Sequence, residues 1–405
     1  MAQTARTDVT TSLPTLHPPA PTLYVALELS KDTWKLGFTT SRTKKARIRD
    51  VKARDLPGFL AEVLAAKKRL ELPDDAPVRS CYEAGRDGFW IHRFLEANRI
   101  SNLVVDPASI EVNRRSRQAK TDRLDAQKLA QLLARHNEGE GVLRVVRVPP
   151  PKAEDERLLP RQLKTLKRKR TQATNQIRAA LFQHGVDLDP RKGDFKKREF
   201  LRELRSARQW DGSRLPAELL RVVRMHWDQY ALLVRQIKQL EQRQRQALRE
   251  ARRGSPKATI AQRKAARLSQ LRGVGDTGSY VLATEFFGWR EFRNRQEVGA
   301  LAGLTGTPHQ SGGSAREQGI SKAGNPRVRT LMVELAWLWL RWQPESRTTR
   351  WFHEHVGKAG SRGKRKAIVA VARKLLVEFW HFVEHGVVPE GAQLKADGAQ
   401  ARSAA

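Results

Sequence analysis

Four acids and one serine are the residues in this 405-residue chain whose types and spacing suit phosphate chemistry. Asp122 and Asp125 stand in Lys120-Thr121-Asp122-Arg123-Leu124-Asp125-Ala126. Three apart on a helix, their carboxylates leave from one face. Leu124, Leu129, Leu132 and Leu133 would seat that helix on a core. Acids are also common in a helix's first turn, where the dipole favours them, so the pair alone does not define a site. Glu28 and Glu83 fall at the ends of predicted strands. Four carboxylates brought together would repel unless a cation neutralised them. Oxygen donors without a Cys or His cluster favour Mg2+ or Mn2+ over zinc. Two such ions can clamp the attacking and leaving oxygens of a phosphodiester. Ser311 lies in the glycine-rich stretch Gly303 to Ser314, followed by Arg316, Lys322, Arg327 and Arg329. There a phosphate-attacking hydroxyl would have cations to stabilise developing charge. Ser and Gly also dominate ordinary turns.

The elements needed to position these groups are legible in the first 150 residues. Leu23 to Leu29 reads as a mostly apolar, central strand. Thr33 to Thr39 alternates and reads as its hairpin partner, with a weaker strand over Ala46 to Val51. A helix over Asp55 to Leu70, a strand over Val78 to Glu83, a helix over Phe89 to Ala97 and a strand over Asn102 to Val105 follow. The helix bearing Asp122 and Asp125 completes a β-β-β-α-β-α-β-α order. That order matches an RNase H-like α/β fold, an antiparallel trio continued by parallel strands. In such a sheet the first and fourth strands are neighbours and the last helix covers them, so the four acids would converge.

Charge sets the partner. The chain carries 77 Lys and Arg against 43 Asp and Glu, a net +34, spread along its whole length. A polyanion is the natural counterpart. Ten Trp and thirteen Phe within a 39% hydrophobic content supply packed cores. A single cysteine excludes a disulfide framework and any multi-cysteine zinc site, and suits a reducing compartment. The longest apolar run, Leu331 to Leu340, contains Glu334 and is too short to span a membrane. Residues 1–20 lack an apolar signal region and read as a disordered leader.

Beyond a Gly/Pro-punctuated linker, Glu138 to Pro151, the pattern turns helical. Leu159, Leu163, Leu166, Arg170, Ala173, Ile177 and Ala180 form a heptad-like seam, broken from Gly185 to Pro216 and resumed from Leu220 to Leu248. The spacing predicts a helical hairpin or coiled-coil arm over 151–256. Between Arg161 and Arg178 there are seven basic residues and no acid. Arg161, Lys164, Lys167, Arg168, Lys169 and Arg170 are therefore candidate phosphate contacts, although charge runs are commonly just solvated faces.

A mainly helical domain follows over 257–388. Leu268 to Gly278, with Gly273-Val274-Gly275, resembles a helix-hairpin-helix turn whose backbone N–H groups can hold phosphate. Such glycines also end ordinary helices. Arg327 to Trp342 reads as an apolar helix, Gly357 to Lys366 as a basic mobile segment, Ala367 to His385 as a last helix and 389–405 as a disordered tail.

Together the two ends resemble the bridge-RNA-guided DEDD transposases of bacterial insertion sequences. The matching stretches are Tyr24 to Lys31, Tyr82-Glu83-Ala84-Gly85, Lys120 to Ala126, Ser311-Gly312-Gly313 and Gly319 to Asn325. The resemblance implies a RuvC-like N-terminal domain over 21–150, a coiled-coil middle and a C-terminal transposase domain. It implies a noncoding RNA pairing with donor and target DNA, and a homo-oligomeric synapse, dimer or tetramer, in the bacterial cytoplasm at the nucleoid. It also implies a composite site across protomers, with Glu28, Glu83, Asp122 and Asp125 as metal ligands and a serine that forms a phosphoserine link to DNA. Ser311, just before the family's glycine, is the preferred nucleophile over Ser314. The family's first acid is usually aspartate, and here it is Glu28.

Two other classes fit the same residues. One is a RuvC-like, metal-dependent, structure-specific nuclease that uses activated water. The other is a basic nucleic-acid-binding protein whose metal site has decayed.

Overall fold

A computed structural model describes residues 21–110, 122–190, 197–311, 314–356 and 360–395. Residues 1–20, Lys120, Thr121, Gly312, Gly313 and 396–405 lie outside them, and so do three positions, 357–359, of the expected mobile segment. The chain divides into two compact units, Met1–Val148 and Pro149–Ala405.

The first unit is built on a five-stranded sheet of order β3-β2-β1-β4-β5. Its strands are β1 (Leu23–Leu29), β2 (Thr33–Thr39), β3 (Arg47–Lys52), β4 (Val78–Glu83) and β5 (Ser101–Val105). β1–β2 and β2–β3 are antiparallel, whereas β1–β4 and β4–β5 are parallel. Helices α1 (Leu56–Arg69) and α2 (Trp90–Ala97) supply the crossovers, and α3 (Asp122–Asn137) closes the unit. Asp55 starts α1 by accepting from the Gly58 N–H at 2.9 Å.

Because side chains alternate across a strand, this sheet has two cores. Leu23, Val25, Leu27, Val78 and Tyr82 pack with Phe59, Val63, Ile91 and Leu95 of α1 and α2. Tyr24, Ala26, Cys81 and Val105 pack with Leu129, Ala130, Leu132 and Leu133 of α3. The expected linker is only partly a spacer. Val145 bridges Val105, the Val146 N–H donates to the Val104 carbonyl, and Leu143 is buried against the α3 face.

In the second unit, α4 (Pro151–Phe182) and α6 (Ala217–Arg252) form an antiparallel pair. Ile177 and Leu181 meet Val223 and Trp227 near the turn, and Leu163 and Leu166 meet Ile237 farther down. The region between them, anticipated as a break, carries α5 (Lys197–Ser206). Its Phe200 stacks on Trp227 with ring centroids 3.9 Å apart.

The remaining elements are α7 (Ile260–Leu268), α8 (Asp276–Leu282), a π-helical segment Ala283–Phe287, α9 (Arg295–Leu301), β6 (Gly306–Ser311), β7 (Ser314–Ile320), α10 (Pro326–Trp342), α11 (Arg347–Val356) and α12 (Ser361–His385). They gather around an apolar core of Phe286, Met332, Trp339, Leu375 and Phe379 among others. Apolar packing continues across positions 256/257. Leu248 and Ala251 of α6 pack with Ala261, Ala265, Tyr280 and Ala283, fusing the helix pair to the C-terminal helices.

Three further expectations need correction. The stretch Gly303 to Ser314 is not simply a loop, because most of it forms the β6–β7 hairpin. The last helix starts at Ser361, earlier than Ala367. Residues 389–395 are ordered: Leu394 bridges Leu271, and the Lys395 ammonium donates to the carbonyls of Ser269 and Val274 at 2.6 and 2.7 Å. That lysine occupies carbonyls at the glycine turn between α7 and α8. Among the described residues no helix is long and apolar enough to cross a membrane.

Candidate active site

Strand register puts two of the four acids together. Leu27 pairs with Tyr82 in the parallel β1–β4 ladder, and the next residues along are Glu28 and Glu83. Alternation places both on the face that carries Tyr24, Ala26 and Cys81, the face covered by α3. Both are half-buried. Cys81, two residues before Glu83, is fully buried, and its thiol is pushed well above the ordinary range, first by burial and then by the Glu83 charge. It is therefore a protonated core group and not a ligand or nucleophile.

The seat of α3 sets the other two acids. A Cβ on Gly37 would stand 2.7 Å from the Ala126 carbonyl oxygen, so glycine is what lets the helix approach the sheet there. Gly37 pairs with Ala26, two residues before Glu28. At the far end of α3, the Asn137 amide donates to the Tyr24 hydroxyl at 2.7 Å. The helix therefore runs against the direction of β1. Its first turn, with Asp122 exposed and Asp125 half-buried, points toward the sheet end where Glu28 and Glu83 stand.

The donor chemistry suits a hard divalent cation, with carboxylates on one face and at one end of a sheet. The closure does not: among the described residues no group of three or more His, Cys, Asp or Glu side chains is gathered so as to hold a metal ion.

Ser311 closes β6 directly opposite Ser314, the first residue of β7. Arg316 stands opposite His309 in the same ladder. The hairpin's base is tightly bound. Ser321 N–H donates to the Thr305 carbonyl at 2.8 Å and Asn325 N–H to the Leu301 carbonyl at 2.9 Å. A Cβ at Gly303 would lie 2.1 Å from the Ala323 carbonyl oxygen, and one at Gly324 would lie 2.2 Å from that of Leu301. Both glycines have positive φ, so no other residue fits without strain. Lys322 is exposed in the left-handed region, with φ 55. Arg329 turns inward, donating to the carbonyls of Lys322 and Ala302 at 2.9 and 3.3 Å. It thus holds the loop that follows the hairpin.

One group of the second unit escaped the sequence reading. Glu285, 1% exposed, sits in the π-helical segment and receives both arms of Arg161 at 2.6 and 2.8 Å. Asn325 reaches the same carboxylate at 3.4 Å while its own oxygen caps α10 by accepting from the Arg327 and Val328 N–H groups. Arg327 lies 3.9 Å away. Burial pushes the Glu285 carboxyl up, but Arg161, Arg327 and Asn325 outweigh it and hold the group below the usual carboxylate range. The available signal was a lone acid inside the apolar run Val281 to Phe287.

Arg161, expected to touch phosphate, is therefore committed to a buried partner. Lys167 pairs with Glu241 at 2.8 Å across the helix pair. Lys164, Arg168 and Lys169 are exposed on α4, and Arg170 is half-buried.

Comparison with known proteins gives this arrangement a context. A model described as the transposase IS116/IS110/IS902 family matches residues 265–351, and a DEDD transposase model of IS110 type matches 30–185. The protein y4rJ of Sinorhizobium fredii (strain NBRC 101917 / NGR234), designated a transposase, is 42% identical over 381 residues, 92% of this chain and 94% of its own. The chain belongs to the IS116/IS110/IS902 transposase family. It is also similar to the transposase y4qE of the same organism, at 27% identity with 74% of each chain covered. The transposase for insertion sequence element IS1328 of Yersinia enterocolitica is 27% identical, with 59% of this chain and 66% of its own covered. The transposase matches take in Glu83, Asp122 and Asp125 on one side and Glu285, Ser311, Lys322 and Arg327 on the other. Glu28 lies two residues before the first matched segment. As a member of this family the protein is an insertion-sequence transposase, an enzyme that acts on DNA.

Proposed function

We propose that this transposase cuts and rejoins donor and target DNA under the guidance of a noncoding bridge RNA, with Ser311 as nucleophile and Glu28, Glu83, Asp122 and Asp125 as an acidic tetrad on an RNase H-like, RuvC-type sheet. The observation that supports the reading most is the common face and common end of Glu28 and Glu83, covered by a helix that begins with Asp122 and Asp125.

The tetrad would hold Mg2+ or Mn2+, which neutralises phosphate charge when bound. Glutamate in the first position adds one methylene of reach and keeps the same donor atoms. The Ser311 Oγ attacks the scissile phosphorus and loses its proton. A serine–phosphate bond forms and one DNA oxygen leaves, protonated. A hydroxyl from another strand then attacks the same phosphorus and restores the serine. One phosphodiester is made for each one broken, so the exchange needs no external energy source. Arg316, Lys322 and Arg327 supply positive charge around the hairpin for the developing phosphorane. Acids and serine are taken from different protomers of a homo-oligomer.

Exposed Lys164, Arg168 and Lys169, with Arg170, form the phosphate-facing side of α4 in this reading. The test is a strand-exchange assay on protein carrying its bound RNA. Exchange that needs Mg2+ or Mn2+ and vanishes in Asp122→Ala, with one discrete RNA species recovered, is the expected result. A random RNA population, or exchange unaffected by Asp122→Ala, contradicts it.

A further inference from the structure

From Ser361 onward the basic segment ahead of the last helix is itself helix, the opening turns of α12. Gly363 to Val377 carries Lys364, Arg365, Lys366, Arg373 and Lys374 and no acid, and all five side chains are exposed. Crowding like charges on one helix is unfavourable unless something neutralises them. Elsewhere in this unit cations are matched: Lys167, Arg252 and Lys264 pair with Glu241, Asp276 and Glu384. Among the described residues Lys366 and Arg373 make no ion pair. The first acid along α12 is Glu378, and its carboxylate accepts from the Thr348 hydroxyl at 2.6 Å.

Packing fixes where these charges stand. Lys366 and Arg373 are seven residues apart, so they share one side of the helix, about 10 Å apart along its axis. On the opposite side Ile368, Val371, Ala372 and Leu375 are buried. Between the two cations come Val369 and Ala370, too short to screen them. A Cβ on Gly299 of α9 would meet the Arg373 Nε at 3.3 Å and the Thr305 Cγ2 at 3.4 Å, so the missing side chain at 299 gives the arginine its seat. Beside it the Lys374 Nζ lies over the Trp351 ring, 4.1 Å from the centroid. Thr305 stands six residues before Ser311, so at about 3.4 Å per residue the seat of Arg373 is within roughly 20 Å of the end of β6.

We propose that the Lys366–Arg373 face of α12 is a clamp for the phosphate backbone of duplex DNA beside the β6–β7 hairpin. It goes beyond the guided serine reading and requires only that the enzyme act on DNA. Helix α12 lies past both matched transposase segments, 30–185 and 265–351. A run of cations without acids is neutralised by phosphates, and a seated guanidinium can bind one through two N–H groups. The spacing of Lys366 and Arg373 lets them reach the two backbones that border a B-form major groove about 12 Å wide. Duplex RNA fits less well, because its major groove is deep and narrow. Phosphate contacts set position and carry no sequence information. The clamp therefore fixes where the duplex lies relative to the hairpin, within about six base-pair steps at 3.4 Å each, and leaves the choice of site to other parts.

The test measures binding of the full-length protein to several unrelated duplex DNAs, and to duplex RNA of the same length, over a series of salt concentrations. The variants are Lys366→Gln, Arg373→Gln and the two combined, with Arg373→Lys keeping the charge. The slope of log affinity against log salt should fall by about one for each cation removed. The combined variant should bind every duplex DNA about 10- to 100-fold more weakly. Arg373→Lys keeps the wild-type slope. Thermal melting of Lys366→Gln matches wild type, since that side chain is exposed, so its slope alone decides if Arg373→Gln disturbs the seat on Gly299. An unchanged slope in Lys366→Gln and in the combined variant overturns the proposal and leaves the serine and RNA readings untouched. A loss confined to particular sequences overturns a backbone clamp. A loss on duplex RNA larger than on duplex DNA overturns the choice of DNA. Self-association without nucleic acid that disappears in the combined variant assigns the face to a second copy of the chain and overturns it as well.

Discussion

The acidic end of the first unit and the serine hairpin of the second place the residues proposed to react by opposite means. Glu28 and Glu83 ride on adjacent, largely buried parallel strands, where ladder register alone decides which face they take. Ser311 ends a hairpin whose own strands are polar and whose position depends on what is tied behind it: two glycines without room for a Cβ, Arg329 on two carbonyls, and Asn325 joined to the buried Glu285 and Arg161. Strands inside a buried sheet need few special partners. A polar hairpin needs buried polar contacts at its base, and such networks fail sharply when one member is removed.

The largest consequence of that difference is expected at Arg161. Arg161→Ala leaves the buried Glu285 carboxylate with only the Asn325 amide at 3.4 Å and Arg327 at 3.9 Å, at a cost of about 3 kcal/mol. A drop of several degrees in melting temperature is the readout, together with faster hydrogen exchange over 301–325. The pair also gives this unit an acid-sensitive term. The Glu285 carboxyl is depressed in the folded protein, so its stabilisation is complete above the unfolded carboxylate pKa and is lost as pH falls through the folded value. Glu378 behaves in the reverse sense. Burial raises it against the Thr348 hydrogen bond, so its contribution is full below the unfolded pKa and declines as pH rises through the folded one. Melting scans from neutral to acid pH should lose the Glu285 term in wild type and show little of it in the double variant Arg161→Met, Glu285→Leu.

Next in size is Gly37→Ala. The added methyl meets the Ala126 carbonyl and should lift the first turn of α3, costing about 1–3 kcal/mol. Activity should fall with it because Asp122 and Asp125 move. A smaller loss, about 1 kcal/mol, is expected for Thr259→Ala, which removes the capping box that Thr259 and Gln262 form at α7. Asp122→Ala is the limiting case: the residue is exposed, so stability should change by less than about 0.5 kcal/mol while strand exchange is lost. Loss of the fold in Asp122→Ala would make that residue a structural cap and weaken the contrast.

The same contrast governs how much was readable in the chain itself. The five strands of the first sheet were legible from an apolar run at Leu23 to Leu29, alternation at Thr33 to Thr39 and the element order, and the shared face of Glu28 and Glu83 follows from that order. The β6–β7 hairpin escaped because Gly306-Thr307-Pro308-His309-Gln310-Ser311 has neither alternation nor β-branched residues beyond Thr307. Helix α5 escaped because Lys197 to Ser206 is dominated by charge, although Phe200 and Leu204 are buried. Arg161 was legible as a cation but not as a partner, since Glu285 lies 124 residues away. The order of 389–395 depends on pairing with the α7–α8 turn, a contact no local pattern signals.

The central claim, that a serine on the polar hairpin starts the strand exchange, is tested most directly by trapping the protein on cleaved DNA and mapping the linked residue. The expected product is a covalent DNA–protein species joined through Ser311, absent in Ser311→Ala and retained in Ser314→Ala. Strand cleavage undiminished in Ser311→Ala, or a link mapped to Ser314, would contradict it.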